Sequence, residues 1–567
     1  MKAKKIIALI LVAIFSLGIV AACGPDDPPP PPPPEPGGEV ADPAPDIPTP
    51  DDLDQLPEAQ VRVFENHVTI TYSCPQVRLG MDYNTDCDYA RWLFDKFNFT
   101  FEPTHVPWGE WINLHAMWIM SQDMPDVIVF NYMDTTHADA ANFVDQGLIR
   151  RLPDDWKSRW PNLAMVFHST NLGPRLEQEF GGTYFLPRAR FFFSLGEIMS
   201  NPLQDHWALR FRRDWFEAMG VEVRSTYTIP EVLDIARLIR DKDPGNMGEN
   251  LVPLALRYGN AGHFFLFKNS TWWNSYFIDD DGYYQWGPFC PSFEEGLMYW
   301  FTAWDEGLLS PEFFLLDHGQ DLDLFRVTGR AGIFFGGAPT HDIMRAFQDF
   351  EANLGIDSWE AMGFATLLGA NGLYHQRDLI NFWGAVAFSP TADQEVVERW
   401  LYLMDFTASR DGYPATQMGI PGVDWKWDDD GNLVSLVPFG TLLEGTPGSG
   451  AKYPSLGHVL GSSILFDDLA FINPNIGQRY RDLGIQLYRD RFENSTRESF
   501  PYANWDLWMF DSPEFRRAGG ISISQEMTNL IVNASSMNDL LASFHQWREN
   551  QMGIVQPALD QLNAQLR

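Results

Sequence analysis

The sequence lacks most of the patterns by which enzymes and metalloproteins are recognised. It has only four cysteines in 567 residues, and neither these nor the scattered histidines show zinc-type spacing. A phosphate-binding loop, a Gly-rich dinucleotide turn and a GxSxG nucleophile elbow are also missing. We therefore expect no catalytic residues, no metal and no cofactor. A carboxylate pair for glycoside hydrolysis needs no fixed spacing and stays open as a minor alternative.

Basic residues are scarce as well. Lys and Arg number 40 against 76 Asp and Glu, which gives a formal net charge of −36. So acidic a chain repels nucleic acid and anionic lipid, because both carry negative charge. The composition thus argues against a DNA- or RNA-binding role, although acidity also serves solubility.

Long apolar runs are limited to one, at residues 6–20, behind the basic residues Lys2, Lys4 and Lys5. The run is shorter than the roughly 20 residues of a membrane-spanning helix, so residues 1–22 are predicted to be a signal peptide. It ends in VAACG (20–24), which resembles the bacterial lipobox. That resemblance implies cleavage before Cys23 and attachment of a lipid to its thiol. The alternative is an ordinary signal peptide with an incidental cysteine.

A proline-rich segment follows, and residues 23–60 are predicted to be a lipidated linker. Residues 28–34 are an unbroken run of prolines. Proline fixes φ and removes a hydrogen-bond donor, so this stretch is expected to be an extended, solvated tether. Beyond it, Cys74, Cys87 and Cys290 remain; a Cys74–Cys87 disulfide is possible but not indicated by spacing.

Alternating strand and helix signals begin at residue 68. VTITY (68–72) is rich in β-branched residues, helical spacing follows over 89–97, and a second strand is indicated over 99–106. A helix over 108–120 leads to the apolar strand DVIVF (126–130). This order predicts a βαβ lobe with a mostly parallel sheet. Thr228-x-x-Glu231 and Thr391-x-x-Gln394 have the form of capping boxes and predict two later helix starts.

Seven phrases then occur in an order typical of one protein family. They are WINL (111–114) with MPDVI (124–128), QGLI (146–149) with LP (152–153), GTYFLP (182–187), FRRDWFEAMG (211–220), DPGN (243–246), WDEGLLSPE (304–312) and MGIPGVDW (418–425). In these phrases the chain resembles family one of the extracellular solute-binding proteins of ABC transporters, in particular its LipO-like lipoproteins.

The resemblance implies the fold and its organisation. The expected fold is α/β, a two-lobed, periplasmic-binding-protein-like (type II) clamshell with crossing hinge strands. The first α/β lobe is expected to comprise residues 61–190 plus about 330–395. A second, mostly helical lobe is expected from about 191–329 plus 396–567.

Candidate ligand contacts follow from the expected sheet. Ligand loops of such lobes lie beyond the carboxyl ends of the strands. Tyr83 lies in the stretch after the first strand, Asn131 and Tyr132 follow the third, and Arg188 lies where the family crosses between lobes. We predict that these four residues contact the ligand.

Tryptophan supplies further candidates, since the chain contains 21. Sugars stack their C–H faces on indole rings and pair their hydroxyls with polar side chains. Trp272, Trp273, Trp383 and Trp425 lie beside such polar residues and are predicted ligand contacts. The competing interpretation is that they serve the core, as is expected of Trp400 on its helical face.

One phrase departs from the family. The family often has an acidic, calcium-like loop where this chain has DPGNMGEN (243–250), which is shorter and poorer in carboxylates. Counted as an EF-hand loop from Asp241, it places Gly245 and Val252 where ligands are required. We therefore interpret it as a helix-ending turn and predict no metal.

The sequence thus predicts a monomeric, lipid-anchored receptor on the outer face of the cytoplasmic membrane, in a Gram-positive bacterium. Its expected partners are a carbohydrate, most simply an oligosaccharide, and the permease subunits of an ABC importer. The alternative is a signalling or adhesion lipoprotein that uses the same ligand-binding fold.

Overall fold

The computed structural model describes residues 58–60, 62–75, 77, 88–132, 137–170, 172–189, 206–317, 319–376, 382–443, 451–453, 472–501 and 503–566. All of them belong to one unit of the chain, residues 43–567. Cys23, the signal peptide and the proline run lie outside the described residues, as do Tyr83 and Cys87.

The elements follow one another in three stretches. Before residue 190 they are β1 (Val68–Cys74), α1 (Asp88–Phe97), β2 (Phe99–His105), α2 (Trp111–Ser121), β3 (Val127–Phe130), α3 (His137–Asp145), α4 (Trp156–Arg159), α5 (Pro161–Ser169), α6 (Gly173–Phe180) and β4 (Leu186–Ala189). From 206 to 376 they are β5 (Trp207–Arg212), α7 (Arg213–Met219), β6 (Thr226–Thr228), α8 (Ile229–Lys242), β7 (Val252–Ala255), α9 (Tyr258–Gly262), a π-helix (His263–Phe267), β8 (Tyr276–Ile278), β9 (Tyr284–Trp286), α10 (Pro291–Asp305), α11 (Gln320–Arg326), β10 (Ala331–Gly337), α12 (Thr340–Leu354), α13 (Ser358–Ala361) and β11 (Met362–Leu368). After 381 they are β12 (Phe382–Phe388), α14 (Gln394–Thr407), α15 (Gly412–Met418), β13 (Trp425–Trp427), β14 (Leu433–Ser435), α16 (Gln478–Glu493), α17 (Trp505–Met509), α18 (Pro513–Gly519), α19 (Ile523–Asn533) and α20 (Met537–Gln565).

Local sequence accounts for the first of these elements. β1 is rich in β-branched residues, and α1 begins with Asp88 and ends near Lys96, charges that complement the helix dipole. The VIVF sequence of β3 is buried at every position, as a strand covered on both faces of an α/β sheet requires. The predicted order of strand, helix, strand, helix, strand is confirmed.

The first sheet has the strand order β2-β1-β3-β12-β4. β1 pairs in parallel with β2 and β3, whereas β12 pairs antiparallel to β3 and β4. Since Ala385 pairs with Phe130 and Phe382 pairs with Ala189, the start of β12 and the end of β4 lie beside the carboxyl ends of β1 to β3. We call this side of the sheet the first edge.

The second sheet has the order β6-β11-β5-β10-β7. β11 is parallel to β6 and β10 is parallel to β7, while the central β5 is antiparallel to both. Because Gly337 pairs with Trp207 and Leu368 pairs with Thr228, the start of β5 and the ends of β6, β7, β10 and β11 lie on one side. We call that side the second edge.

The chain passes between the sheets at these two edges. It leaves the first edge after Ala189 and enters the second at Trp207, and it leaves the second edge after Leu368 and returns to the first at Phe382. A third passage lies between Ile472, which packs in a core with Ala189 of the first sheet, and Ile476, in a core of the second. The two edges therefore flank the connections, which is the arrangement expected of a two-lobed, type II fold. The predicted fold class is confirmed.

Separate cores define two lobes. The first lobe is the first sheet with α1 to α6, α14, α15 and the β13–β14 hairpin, and the second lobe is the second sheet with the remaining helices. Trp400 of α14 is fully buried and stacks on Tyr72 of β1, with 5.0 Å between ring centroids. Its predicted role in the core is confirmed.

The predicted lobe boundaries need correction. Residues 330–395 were expected in the first lobe, but β10 and β11 pair with β5 in the second sheet, and only β12 returns to the first. Residues 396–567 were expected in the second lobe, yet α14 packs on the first sheet and Arg399 donates to the Phe97 carbonyl, 2.6 Å away. Among the described residues the first lobe is 58–189 with 382–453 and Ile472, and the second is 206–376 with 476–566. The sequence of an apolar strand does not indicate which sheet the strand joins, because either sheet buries it equally well.

Candidate functional site

The first edge brings together three of the predicted contacts. Asn131 and Tyr132 follow β3 directly, Arg188 is the third residue of β4, and all three are buried. Trp383 is the second residue of β12, but its side chain is outside what the structure describes. A β-bulge separates the paired residues Phe382 and Ala385, and Gly384 within it has a φ of 137°, which favours glycine. Bulges of this kind often occur beside binding sites, where they redirect side chains.

Tyr132 lies deeper than the sequence suggested. It is 1% exposed, its ring packs edge-on against Phe185 at 5.2 Å, and its hydroxyl lies 3.0 Å from Nδ1 of His137. The other nitrogen of that ring contacts the Glu179 carboxylate. Burial raises the pKa of Tyr132 well above its ordinary value, with a smaller contribution from the charge of Glu179. Both the ring and the hydroxyl of Tyr132 are thus held by neighbouring side chains. This geometry favours a role in shaping the first edge over stacking on a ligand.

Trp425 does not present a surface for a ligand. Its side chain is 0% exposed, and its indole N–H donates to the Gly419 carbonyl at 3.0 Å. The ring lies in a small core of the first lobe with Tyr413 and Met418. The interpretation of Trp425 as a core residue is the one that the structure supports.

Trp272 and Trp273 lie in a turn of the second lobe, after the π-helix. Both are half-buried. Trp273 packs against the core and against Phe267, with 6.3 Å between ring centroids. Trp272 has no hydrogen bond to its indole and no ring contact within the part of the chain that the structure describes, and it keeps accessible surface. Of the predicted aromatic contacts whose side chains are described, Trp272 is the one whose ring is best placed to contact a ligand.

This turn lies against the segment that leads to the first lobe. The Thr271 hydroxyl oxygen is 2.9 Å from Nδ1 of His375, and the Lys268 ammonium donates to the His375 carbonyl at 3.1 Å. Burial, and less strongly the charge of Lys268, lowers the pKa of His375 to about 4, so its ring is neutral at pH 7. The turn is therefore adjacent to the second edge, at the passage from Leu368 to Phe382.

The loop compared above with a calcium site is a helix-ending turn, as predicted. Asp243 is the left-handed residue that ends α8, with a φ of 42°. Its carboxylate accepts the backbone N–H groups of Met247 and Gly248, each at 2.8 Å. Across the residues that the structure describes, no group of three or more His, Cys, Asp or Glu side chains is arranged to hold a metal. The absence of a metal stays a prediction.

The similarity of this chain to known proteins lies in its fold. No protein-family model and no curated protein matches the chain. The alginate-binding protein AlgQ2, solved without calcium ion, matches 90% of this chain and 99% of its own with a TM-score of 0.61 at 14% identity. The Streptococcus pneumoniae ABC-transporter substrate-binding protein FusA, in complex with kestose, matches 88% of this chain and 99% of its own with a TM-score of 0.58 at 14% identity. An HMO-binding, ABC-transporter-associated solute-binding protein from Bifidobacterium longum infantis matches 88% and 100% with a TM-score of 0.58 at 13% identity.

The chain has the fold of an extracellular solute-binding protein. The resemblance predicted from the seven sequence phrases is thus confirmed at the level of the fold. All three structures are described as binding proteins, not as enzymes. None of the helices in the described part of this solute-binding fold has the length and apolar character needed to cross a membrane.

One helix of this solute-binding fold joins its two lobes and escaped sequence reasoning. α17 buries Leu507 in the core of the second lobe, whereas Trp505 and Trp508 pack against the first. Trp508 meets Phe382, the first residue of β12, edge-on at 5.7 Å. Asp506 of the same helix pairs with Arg175 of α6 at 3.1 Å. The available signal was the spacing Trp-x-x-Trp behind the N-cap Asn504, which places both indoles on one face of a short helix.

A buried polar group below the first edge was also missed. His115 of α2 is fully buried, with Nε2 3.2 Å from the Ser73 hydroxyl and Nδ1 accepting from the Trp111 indole at 3.2 Å. Burial lowers the pKa of His115 to about 3. The neutral ring thereby links the end of β1 to α2. Its position four residues after Trp111 in an otherwise apolar helix was the sequence signal.

Proposed function

We propose that the chain is a lipid-anchored extracellular receptor that binds a carbohydrate, most simply an oligosaccharide, and delivers it to an ABC importer. The observation that carries the proposal is the position of Trp272. It is a partly exposed indole beside the passage between two lobes, in a fold whose solved examples include alginate-, kestose- and HMO-binding proteins.

The chemistry of the two edges supports a ligand that has both apolar faces and polar groups. A sugar offers C–H faces to an indole and hydroxyls to amides and carboxylates. Trp272 supplies the first kind of contact from the second lobe, and Asn131 supplies a buried amide at the first edge. A ligand that touches both lobes stabilises their closed arrangement, because it gains contacts there that the open arrangement lacks.

Anchoring and delivery rest on the sequence and on the neighbours. VAACG (20–24) supplies the thiol for a lipid, and the proline-rich linker supplies the tether. Two of the solved neighbours are described with an ABC transporter. These features favour a receptor on the outer face of the membrane that works with permease subunits.

Binding is tested by thermal unfolding of the soluble chain, residues 24–567, against a panel of glycans that includes kestose, alginate oligosaccharides and Man5GlcNAc. We expect at least one glycan to raise the unfolding temperature in proportion to the logarithm of its concentration, because a ligand that binds only the folded state shifts the equilibrium by mass action. The reducing ends are measured after prolonged incubation. No shift with any glycan contradicts the carbohydrate proposal, and an excess of new reducing ends over protein indicates a glycosidase instead.

Anchoring is tested by fractionation of cells that express the Cys23→Ala variant. We expect the wild type in the membrane fraction and the variant in the medium, since the thiol is the only predicted site for the lipid. A processed variant that stays on the membrane contradicts the anchor.

Delivery is tested by uptake of the bound glycan in a strain that lacks this chain. Loss of uptake supports the importer. Unchanged uptake with an altered transcriptional or adhesive response supports the signalling or adhesion alternative, which uses the same binding step.

A further inference from the structure

A buried hydrogen-bond network joins the turn that carries Trp272 to the segment that leads into the first lobe. The turn comprises residues 268–275 and the segment comprises residues 369–376. Lys268, Thr271 and His375 are 0%, 2% and 6% exposed. Polar side chains so deeply buried must be hydrogen-bonded, because an unpaired polar group in the interior costs free energy.

His375 is the centre of this network. Its ring lies between the Thr271 hydroxyl, 2.9 Å from Nδ1, and the Asn371 side-chain oxygen, 3.1 Å from Nε2. The amide oxygen of Asn371 only accepts, so Nε2 carries the proton of the neutral ring and Nδ1 accepts from Thr271. The His375 carbonyl accepts from Lys268 at 3.1 Å, and the Lys268 ammonium lies 4.0 Å from the centre of the Tyr374 ring.

Backbone packing brings the turn and the segment equally close. The Ala370 N–H donates to the Asn269 side chain at 2.8 Å. A Cβ on Gly369 would lie 2.8 Å from the Lys268 carbonyl, which is too close for any side chain. The Gln376 N–H donates to the Ser499 carbonyl, and the Thr271 hydroxyl is 3.3 Å from that same carbonyl. The turn, the segment and residue 499 are therefore packed against one another and joined by hydrogen bonds.

We propose that His375 is a positioning residue of the ligand site: through Thr271 it holds the turn of Trp272 in a fixed place relative to the passage between the lobes. The inference rests on the proposed function, since it assumes that Trp272 contacts the ligand. It deepens that function by naming the side chains that hold Trp272 against the segment leading to the first lobe.

Three variants isolate the network. Thr271→Val has nearly the same shape but removes the hydroxyl, and Thr271→Ser restores it. Thr528→Val is the matched control, because Thr528 of α19 is also buried and its hydroxyl makes a hydrogen bond, to the Ser524 carbonyl at 2.7 Å. A purely structural role predicts that both valine variants lose similar stability and that neither changes the site.

The readouts are specific to the site. The ¹⁹F NMR resonance of 5-fluorotryptophan at position 272 is assigned by its loss in Trp272→Phe, and amide hydrogen exchange is followed over 369–376. The probes are kestose, an alginate tetrasaccharide and Man5GlcNAc. We expect Thr271→Val to move or broaden the Trp272 resonance, to speed exchange over 369–376 and to weaken probe binding about fivefold, the effect of one lost hydrogen bond. Thr271→Ser should recover all three properties.

The outcomes separate the two proposals. If a probe binds and Thr271→Val behaves like Thr528→Val in resonance, exchange and affinity, the positioning role is wrong while the receptor stands. If no probe binds, the carbohydrate proposal fails, and the resonance and exchange data alone decide the network. A change in the Trp272 resonance without faster exchange over 369–376 contradicts the link to the passage between the lobes.

Discussion

Two tryptophans of the chain differ in burial, and we expect the same substitution to affect them differently. Trp272→Ala removes a half-buried indole and should weaken sugar binding by on the order of 1–3 kcal/mol, with little loss of stability. Trp425→Ala removes a fully buried one and should lower the free energy of unfolding by about 3–5 kcal/mol. Calorimetric titration and urea unfolding measure the two effects. Early unfolding of Trp272→Ala with unchanged sugar affinity contradicts its assignment to the site.

His115 makes stability depend on pH. Its pKa is lowered to about 3 by burial, against about 6.5 in an unfolded chain. Between those values the unfolded state binds the extra proton, so the free energy of unfolding should fall as the pH is lowered from 7 to 5, by at most about 1.4 kcal/mol per unit for this group. His375, with a pKa lowered to about 4, acts in the same direction.

The check on His115 is urea unfolding of wild type and His115→Gln at pH 7, 6 and 5. The variant lacks this proton uptake, so its free energy of unfolding should change less steeply with pH. His545→Gln is the control, because its imidazole lies on the exposed side of α20. Parallel curves for the wild type and His115→Gln contradict the prediction.

Residue roles could be predicted from the sequence only where type and environment coincide. The helical face on which Trp400 lies predicts a core position, and its burial confirms this. The sequence predicts that Tyr132 directly follows β3, and this is confirmed. Its hydrogen bond to His137 of α3, which contacts Glu179 of α6, joins elements that sequence spacing does not bring together. Burial of Trp425 depends in the same way on the α15 residues packed around it.

At the scale of the element, the cap of α8 is the clearest case of local sequence deciding structure. The Glu231 carboxylate accepts the Thr228 N–H at 2.8 Å and lies 2.9 Å from its hydroxyl, as the capping-box pattern predicted. We expect Thr228→Ala to lower the free energy of unfolding by about 1 kcal/mol. Thr302→Ala, at a half-buried position inside α10, should cost less, and urea unfolding compares the two. Equal losses contradict the capping role.

The second predicted capping box failed for a local reason. α14 begins at Gln394 with Asp393 as its N-cap, rather than after Thr391. The Thr391 hydroxyl instead lies 2.9 Å from that of Ser389, in the turn that leaves β12. Ser, Thr and Asp compete for the same backbone groups at a helix start, so a sequence with several of them has more than one plausible cap.

At the scale of the whole molecule, α17 couples the two lobes. The edge-on contact of Trp508 with Phe382 is of a kind worth about 0.5–1.5 kcal/mol. Trp508→Ala should therefore shift the balance away from the lobe arrangement seen here by up to about tenfold. Small-angle scattering of the ligand-free chain should show a larger radius of gyration for this variant. It should show no change for Trp427→Ala, because Trp427 lies on a hairpin of the first lobe. An unchanged radius in both contradicts the coupling.

The two-lobed architecture could be predicted from the sequence, but the division of the chain between the lobes could not. The seven phrases implied the fold as a whole. The prediction for β10 and β11 is wrong, and that for β12 is right, because strands of similar composition enter different sheets. Only the register of β12 with β3 and β4 shows where the chain returns.

That return has a consequence for how the protein is made. The strands of the second sheet are contiguous in the chain, from residue 207 to 368, whereas the first sheet waits for β12 to emerge between β3 and β4. Until then β3 and β4 present unpaired strand edges in a partly synthesised polypeptide. Such edges recruit other strands and promote aggregation. Completion of the first sheet therefore has to follow the synthesis of nearly 200 further residues, which takes on the order of 10–40 seconds. During that interval a chaperone that covers apolar strand edges would protect the chain most.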